Sequence, residues 1–158
     1  MSVSVGSAAP AFNLPTDGDG MLALEELRGK KVVLYFYPKD STPGCTTQAQ
    51  EFRNFIDEFE SLNTVIVGVS RDSVKRHDNF KAKNDLPFTL ISDEKGTLCH
   101  DYDVWVEKKN YGRTYMGIER TTFLIDEVGN ILNIWKKVRV KGHVANVLDC
   151  VSICNEKS

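Results

Sequence analysis

Cys45 closes the run Pro38-Lys39-Asp40-Ser41-Thr42-Pro43-Gly44-Cys45, whose residue types suit thiol chemistry. An apolar stretch, Val32 to Tyr37, precedes it, and apolar residues recur after it at Ala49, Phe52, Ile56 and Phe59. The first pattern reads as a buried strand and the second as one face of a helix. Cys45 therefore falls at a strand-to-helix turn, in the first turn of the helix. A thiol there meets the positive end of the helix dipole and backbone N–H groups without partners, which favours the nucleophilic thiolate over an inert packed thiol. Thr42 lies one turn earlier on the same face, an N-cap candidate whose hydroxyl could also donate to a substrate. Pro43 suits the first helical position. Pro38 ends the strand without offering an N–H. Gly44 lets the backbone approach a ligand closely, and the N–H groups of Gly44 and Cys45 are candidate donors to it.

The elements that must hold this turn are legible along the chain. Residues 1 to 29 form a lead-in, with a small β-hairpin around Asp17-Gly18-Asp19-Gly20. Lys31 to Tyr37 reads as a strand, Thr42 to about Leu62 as a helix, and Thr64 to Ser70 as a second buried strand. A helix from Ser73 to about Lys83 follows, then a short strand, Phe88 to Ile91, and a helix near Glu94 to Tyr102. Glu107 to Gly117 is a polar stretch, in which Arg113 reads as a solvated loop residue. Thr121–Asp126 and Ile131–Val140 read as a hairpin, and an amphipathic helix from about Gly142 to Cys154 ends the order. Alternation first and a hairpin last predicts an α/β fold with a central mixed β-sheet and helices on both faces, in a single domain over 1–158.

Composition narrows the function. The chain has 158 residues, 41% of them apolar, and a formal net charge of -2. That is enough for one core without disulfides, and the near balance of charge gives no electrostatic case for nucleic acid or a membrane surface. No apolar stretch has the length of a transmembrane helix, and the first residues lack a secretory pattern, so the expectation is a cytoplasmic protein. Cysteines lie at 45, 99, 150 and 154 without any Cys-x-x-Cys. In a reducing compartment that suggests one reactive thiol and packing roles for the rest. His77, His100 and His143 are scattered, with no metal-ligand spacing, so neither metal nor cofactor is expected.

Pro38, Thr42 and Cys45 fit Pro-x-x-x-Thr-x-x-Cys, within Tyr35-Phe36-Tyr37-Pro38-Lys39-Asp40 and the Thr42-Pro43-Gly44-Cys45-Thr46-Thr47 that follows. With Gly68-Val69-Ser70-Arg71-Asp72-Ser73, His77-Asp78-Asn79-Phe80, Leu90-Ile91-Ser92-Asp93 and Arg120 at the head of Thr121 to Asp126, the chain resembles the peroxiredoxins. Within them it resembles the bacterioferritin comigratory protein or peroxiredoxin Q subfamily, over nearly its whole length. The resemblance implies a thioredoxin-like fold and a thiol peroxidase acting on hydrogen peroxide and organic hydroperoxides. Cys45 would be the peroxidatic nucleophile, oxidised to sulfenic acid. Thr42 would contact the peroxide, Pro38 would shield the sulfur, and Arg120 would stabilise the thiolate and the leaving oxygen. Lys39 and Asp40 would be loop residues at the mouth. A monomer, or at most a weak dimer, is implied.

The chain departs from the subfamily where a resolving cysteine is common: those positions hold Gln50 and Lys81. Cys99, Cys150 and Cys154 remain as candidates, with Cys99 beside apolar positions and Cys150 and Cys154 one turn apart. The expectation is a one-cysteine cycle regenerated by thioredoxin, glutaredoxin or a low-molecular-weight thiol. Two other readings stay open: a thioredoxin-type thiol–disulfide oxidoreductase, which would need a second cysteine near the helix start, and a peroxide-sensing redox switch without turnover. Lys137, Arg139 and Lys141 would share one face of the last strand, and Tyr102, Trp105, Tyr111 and Tyr115 would pack around the polar stretch, some lining an apolar approach.

Overall fold

A computed structural model describes residues 3–157. The strands are β1 (Asn13–Thr16), β2 (Gly20–Ala23), β3 (Lys31–Phe36), β4 (Thr64–Ser70), β5 (Thr89–Ser92), β6 (Trp105–Asn110), β7 (Arg113–Ile118), β8 (Thr121–Ile125) and β9 (Ile131–Trp135). The helices are α1 (Pro43–Asn54), α2 (Ile56–Ser61), α3 (Val74–Asn84), α4 (Thr97–Asp101) and α5 (His143–Lys157). Seven strands make one mixed sheet in the order β2-β1-β5-β4-β3-β8-β9. Parallel pairing joins β3, β4 and β5, and the remaining pairs are antiparallel. No helix among the described residues is long and apolar enough to cross a membrane.

The alternation along β3 divides the core. Val32, Leu34 and Phe36 enter one apolar cluster with Leu98, Cys99 and Tyr102, while Val33 and Tyr35 enter another with Cys45, Phe52, Phe80 and Val147. Helices α1, α2, α3 and α5 therefore cover one face, and α4 with the N-terminal segment covers the other. Phe52 anchors α1: it is fully buried, with its ring 4.6 Å from that of Tyr35. Burying one such side chain stabilises the docked helix by about 1.5–3 kcal/mol.

Four expectations change. The expected helix from Thr42 to Leu62 breaks at Phe55, whose ψ of 12° leaves the helical range; Asn54 and Phe55 are both weak helix formers. The polar stretch is a separate hairpin of β6 and β7, closed by Tyr111 and Gly112 at φ of 52° and 75°. Both central residues have positive φ, as a tight two-residue hairpin turn requires. Tyr102 is buried in the core cluster that also takes in Ile118 and Trp105 from the base of that hairpin, whereas Tyr111 at its tip packs on nothing among the described residues and is 97% exposed. The last strand ends at Trp135, and Lys137 adopts φ 49°, so Lys137, Arg139 and Lys141 share no strand face. The segment that replaces it has a use: Val138 N–H donates to the Arg120 carbonyl at 2.9 Å and pins the start of β8.

Candidate active site

The end of β3 delivers the chain to the loop before α1, and Cys45 is the third residue of that helix, 1% exposed. Thr46 N–H makes the first helical bond, to the Thr42 carbonyl at 2.9 Å. Pro43 has no N–H, so the N–H groups of Gly44 and Cys45 are the helix donors left at this terminus. Arg120, just before β8, reaches the first turns of α1. Its Nη2 donates to Cys45 Sγ at 3.4 Å and its Nη1 to Gln48 Oε1 at 2.6 Å. The two nitrogens of one rigid fork are thus held on two consecutive turns of α1. Gly44 makes room for that fork: a Cβ there would stand 3.3 Å from Arg120 Nη2. The arrangement sets a permanent cation against the sulfur.

Thr42 occupies the N-cap position with extended backbone, but its side chain does not cap the helix. Its hydroxyl donates to the Lys39 carbonyl at 2.8 Å, closing the loop upon itself. Pro38 is half-buried at the end of β3. Ser41 between them takes φ 66°, a left-handed conformation that a non-glycine residue adopts only when its surroundings enforce it. Asp40 supplies that enforcement, and it is buried rather than at the mouth as expected. Its carboxylate accepts from the Tyr37 hydroxyl at 2.6 Å and faces His77 Nδ1 at 2.6 Å, while its N–H donates to Asp72 at 2.8 Å. Asp40, Asp72 and His77 cluster closely enough to suggest a metal site. Every carboxylate oxygen there is already engaged, those of Asp72 by Ser70, Asp40 N–H and Arg76, so the cluster is a hydrogen-bonded network.

Gln48 and Tyr35 escaped the sequence reading. Gln48 had a signal, since it lies three residues after Cys45 and so shares its helix face. Burial, then the charges on Cys45 and Asp40, hold the Tyr35 hydroxyl well above the ordinary tyrosine range, so it stays protonated. Neither that hydroxyl nor Gln48 Nε2 has a hydrogen-bond partner among the described residues.

The cysteine candidates separate. Cys99 lies in the core on the opposite face of the sheet from Cys45. Burial and the Asp93 carboxylate push its thiol well up, so it stays protonated and inert. Cys150 and Cys154 are half-buried on α5, on the same face as Cys45, and Cys150 Sγ accepts from Asn133 Nδ2 at 3.6 Å. The two empty positions are polar staples. Gln50 donates to Asn84 at 3.0 Å, joining α1 to the end of α3, and Lys81 pairs with Asp17 at 2.7 Å, joining α3 to the β1–β2 turn.

Residues 5–134 match the model of the AhpC/TSA family. A putative peroxiredoxin bcp of Coxiella burnetii is 55% identical over 148 residues, 94% of this chain and 98% of that protein. Peroxiredoxin Bcp of Bacillus subtilis is 48% identical over 157 residues, 99% of this chain and 100% of that one. Among solved structures, the Xanthomonas campestris bacterioferritin comigratory protein superposes with a TM-score of 0.87 at 44% identity, covering 91% of this chain and 92% of that one. It was solved as trapped intermediate and ligand complexes bearing on alkyl peroxide reduction, and Xanthomonas campestris peroxiredoxin Q was solved with either of two cysteines changed to serine. The neighbours share the sheet and helix arrangement of a thioredoxin-like fold. With the match spanning the sheet, the thiol loop and Arg120, this chain belongs to the AhpC/TSA family, among its peroxiredoxin Q and bacterioferritin comigratory members.

Proposed function

We propose that the chain is a one-cysteine peroxiredoxin in which Cys45 carries the redox cycle. The observation behind this reading is the Arg120 guanidinium on the Cys45 sulfur at a helix N-terminus. The Cys45 thiolate attacks the terminal oxygen of a hydroperoxide. An S–O bond forms, the O–O bond breaks, and the leaving oxygen takes a proton to depart as water or alcohol. Arg120 and the N–H groups of Gly44 and Cys45 spread the developing negative charge. Thr42 acts differently from the sequence expectation. With its O–H donated to the Lys39 carbonyl, its oxygen offers lone pairs to the peroxide hydroxyl. Pro38 shields the sulfur from the side of β3.

A cleft of about 410 Å³ beside Pro38 supports organic hydroperoxides as substrates alongside hydrogen peroxide. Trp105, Lys108, Tyr115 and Met116 of the β6–β7 hairpin line it, and the Arg71 guanidinium stacks on Trp105 at 4.5 Å. Its lining mixes apolar side chains with Lys39, Arg71, Lys108 and Glu94, which suits a molecule with an apolar body and a polar end. One thiol displaces water from the sulfenic acid to give a mixed disulfide, and a second thiol releases Cys45 as the thiol and leaves with the first as a disulfide. Thioredoxin, glutaredoxin or a low-molecular-weight thiol fills that role. The position of Cys99 behind the sheet, and the staples at Gln50 and Lys81, support an external reductant. We read residues 1–158 as one domain, active as a monomer in the cytoplasm. Replacing Cys99, Cys150 and Cys154 together by serine tests the cycle: turnover persists if the reductant is external, and collapses if one of them resolves Cys45.

A further inference from the structure

Among the described residues no hydrogen bond joins His77 to Cys45, yet His77 holds the loop that leads to the thiol. The ring is fully buried on α3, with Nδ1 2.6 Å from Asp40 Oδ2 and Nε2 2.9 Å from the Ile91 carbonyl oxygen. Both partners are acceptors. A neutral imidazole has one N–H, so one of the two contacts would set lone pair against lone pair; the geometry calls for a proton on each nitrogen. Asp40 stands between Pro38 and Thr42, next to the left-handed Ser41. A conformation of that kind persists only where neighbours fix it. Asp40 is fixed on three sides, by Tyr37, His77 and Asp72.

We propose that His77 is a positioning residue for Cys45: as an imidazolium clamped between Asp40 and the Ile91 carbonyl, it locks the Pro38–Thr42 turn in the form that aligns Thr42 with the thiol. The inference rests on the peroxidase reading for its kinetic consequence and on geometry alone for the clamp. The groups facing the ring are Asp40 and Tyr37 from the loop, Asp72 from the β4–α3 connection and the Ile91 carbonyl from β5. Arg76, on the same helix, is paired with Asp72. Burial opposes the charge on His77, and the Asp40 hydrogen bond and carboxylate outweigh it, so the ring titrates above its ordinary range. The clamp is therefore intact below that raised value and loosens as pH rises through it.

Two measurements decide. The first uses the unaltered protein: ¹⁵N spectra of the His77 ring at neutral pH show both nitrogens protonated if the clamp exists, and a single neutral tautomer overturns it. The second is the rate constant of Cys45 oxidation by hydrogen peroxide from pH 6 to 10 in the parent, His77→Asn, Asp40→Asn and the double variant, each checked by circular dichroism. We expect each single change to slow oxidation by about ten- to a hundredfold, the scale of a small misplacement at the reacting centre. The double variant should fall no further than the slower single, and the fall in the parent's rate at high pH should vanish with His77. Unchanged rates, or single losses that multiply in the double, contradict the proposal. A parent whose Cys45 fails to oxidise would sink the peroxidase reading instead, and the ring spectra would still decide the clamp.

Discussion

Arg120 Nη2 lies 3.4 Å from Cys45 Sγ although 75 residues separate them in the chain. The contact exists because β8 pairs antiparallel with β3, which places the start of β8 beside the end of β3. The loop after β3 then feeds α1, and the cation and the helix terminus converge on one sulfur.

Arg120 cannot be replaced by another cation at this geometry. Its fork holds Gln48 and Cys45 together, and a lysine ammonium would reach only one of them. Arg120→Lys is expected to slow Cys45 oxidation by about 10²–10³-fold, as losing a donor to developing charge does elsewhere. Stopped-flow oxidation on folded protein measures it. A parent-like rate would remove the guanidinium from the mechanism.

Gly44→Ala tests the same contact from the other side. The added Cβ would meet Arg120 Nη2 at 3.3 Å, so the arginine must give way while the helix gains a better former. Thermal stability should hold or rise as the oxidation rate falls by at least about tenfold, roughly the effect of 1.4 kcal/mol on a barrier. A rate loss that tracked a loss of stability would point to misfolding instead.

The two buried histidines give opposite slopes of stability against pH. Burial, with the Arg120 charge, lowers His143 to about 4, below its unfolded value. The neutral ring pairs with the Thr122 hydroxyl at 2.8 Å. Its contribution is complete above the unfolded value near 6.5 and is lost as pH falls toward 4, amounting to about 3 kcal/mol in full. Urea midpoints measured from pH 7.5 down to 4 should decline, and His143→Gln should flatten that decline.

Cys99 is expected to be silent in redox chemistry. In Cys99→Ser the Asp93 carboxylate that already hydrogen-bonds the thiol accepts from the new hydroxyl, so the change should cost at most about 1 kcal/mol and leave peroxide turnover unchanged. In the native protein its alkylation should wait for global unfolding, and rapid labelling of Cys99 would contradict the buried placement.

Much of this was legible in the sequence for physical reasons. Six consecutive buried residues in β3, followed by Thr42, Pro43 and Gly44, announce a buried strand and a helix start whatever the rest of the chain does. The β6–β7 hairpin was not legible, because both of its faces are largely exposed and so show no alternation of apolar and polar residues; Tyr111-Gly112 was its one signal. The end of β9 depended on Lys137 taking a left-handed turn, which no propensity favours. Asp40 reads as a solvated loop residue in isolation. Its burial depends on His77, 37 residues away, and on α3 packing beside the loop.

The central claim is that Cys45 alone carries the redox cycle. Intact mass of the fully reduced protein after one equivalent of hydrogen peroxide, with a sulfenic-acid trap present and Cys45→Ser in parallel, tests it most directly. The account predicts one trapped sulfenic acid in the parent and none in Cys45→Ser. Loss of two hydrogens in the parent would reveal an internal disulfide, and equal oxidation of Cys45→Ser would contradict the assignment of the thiol itself.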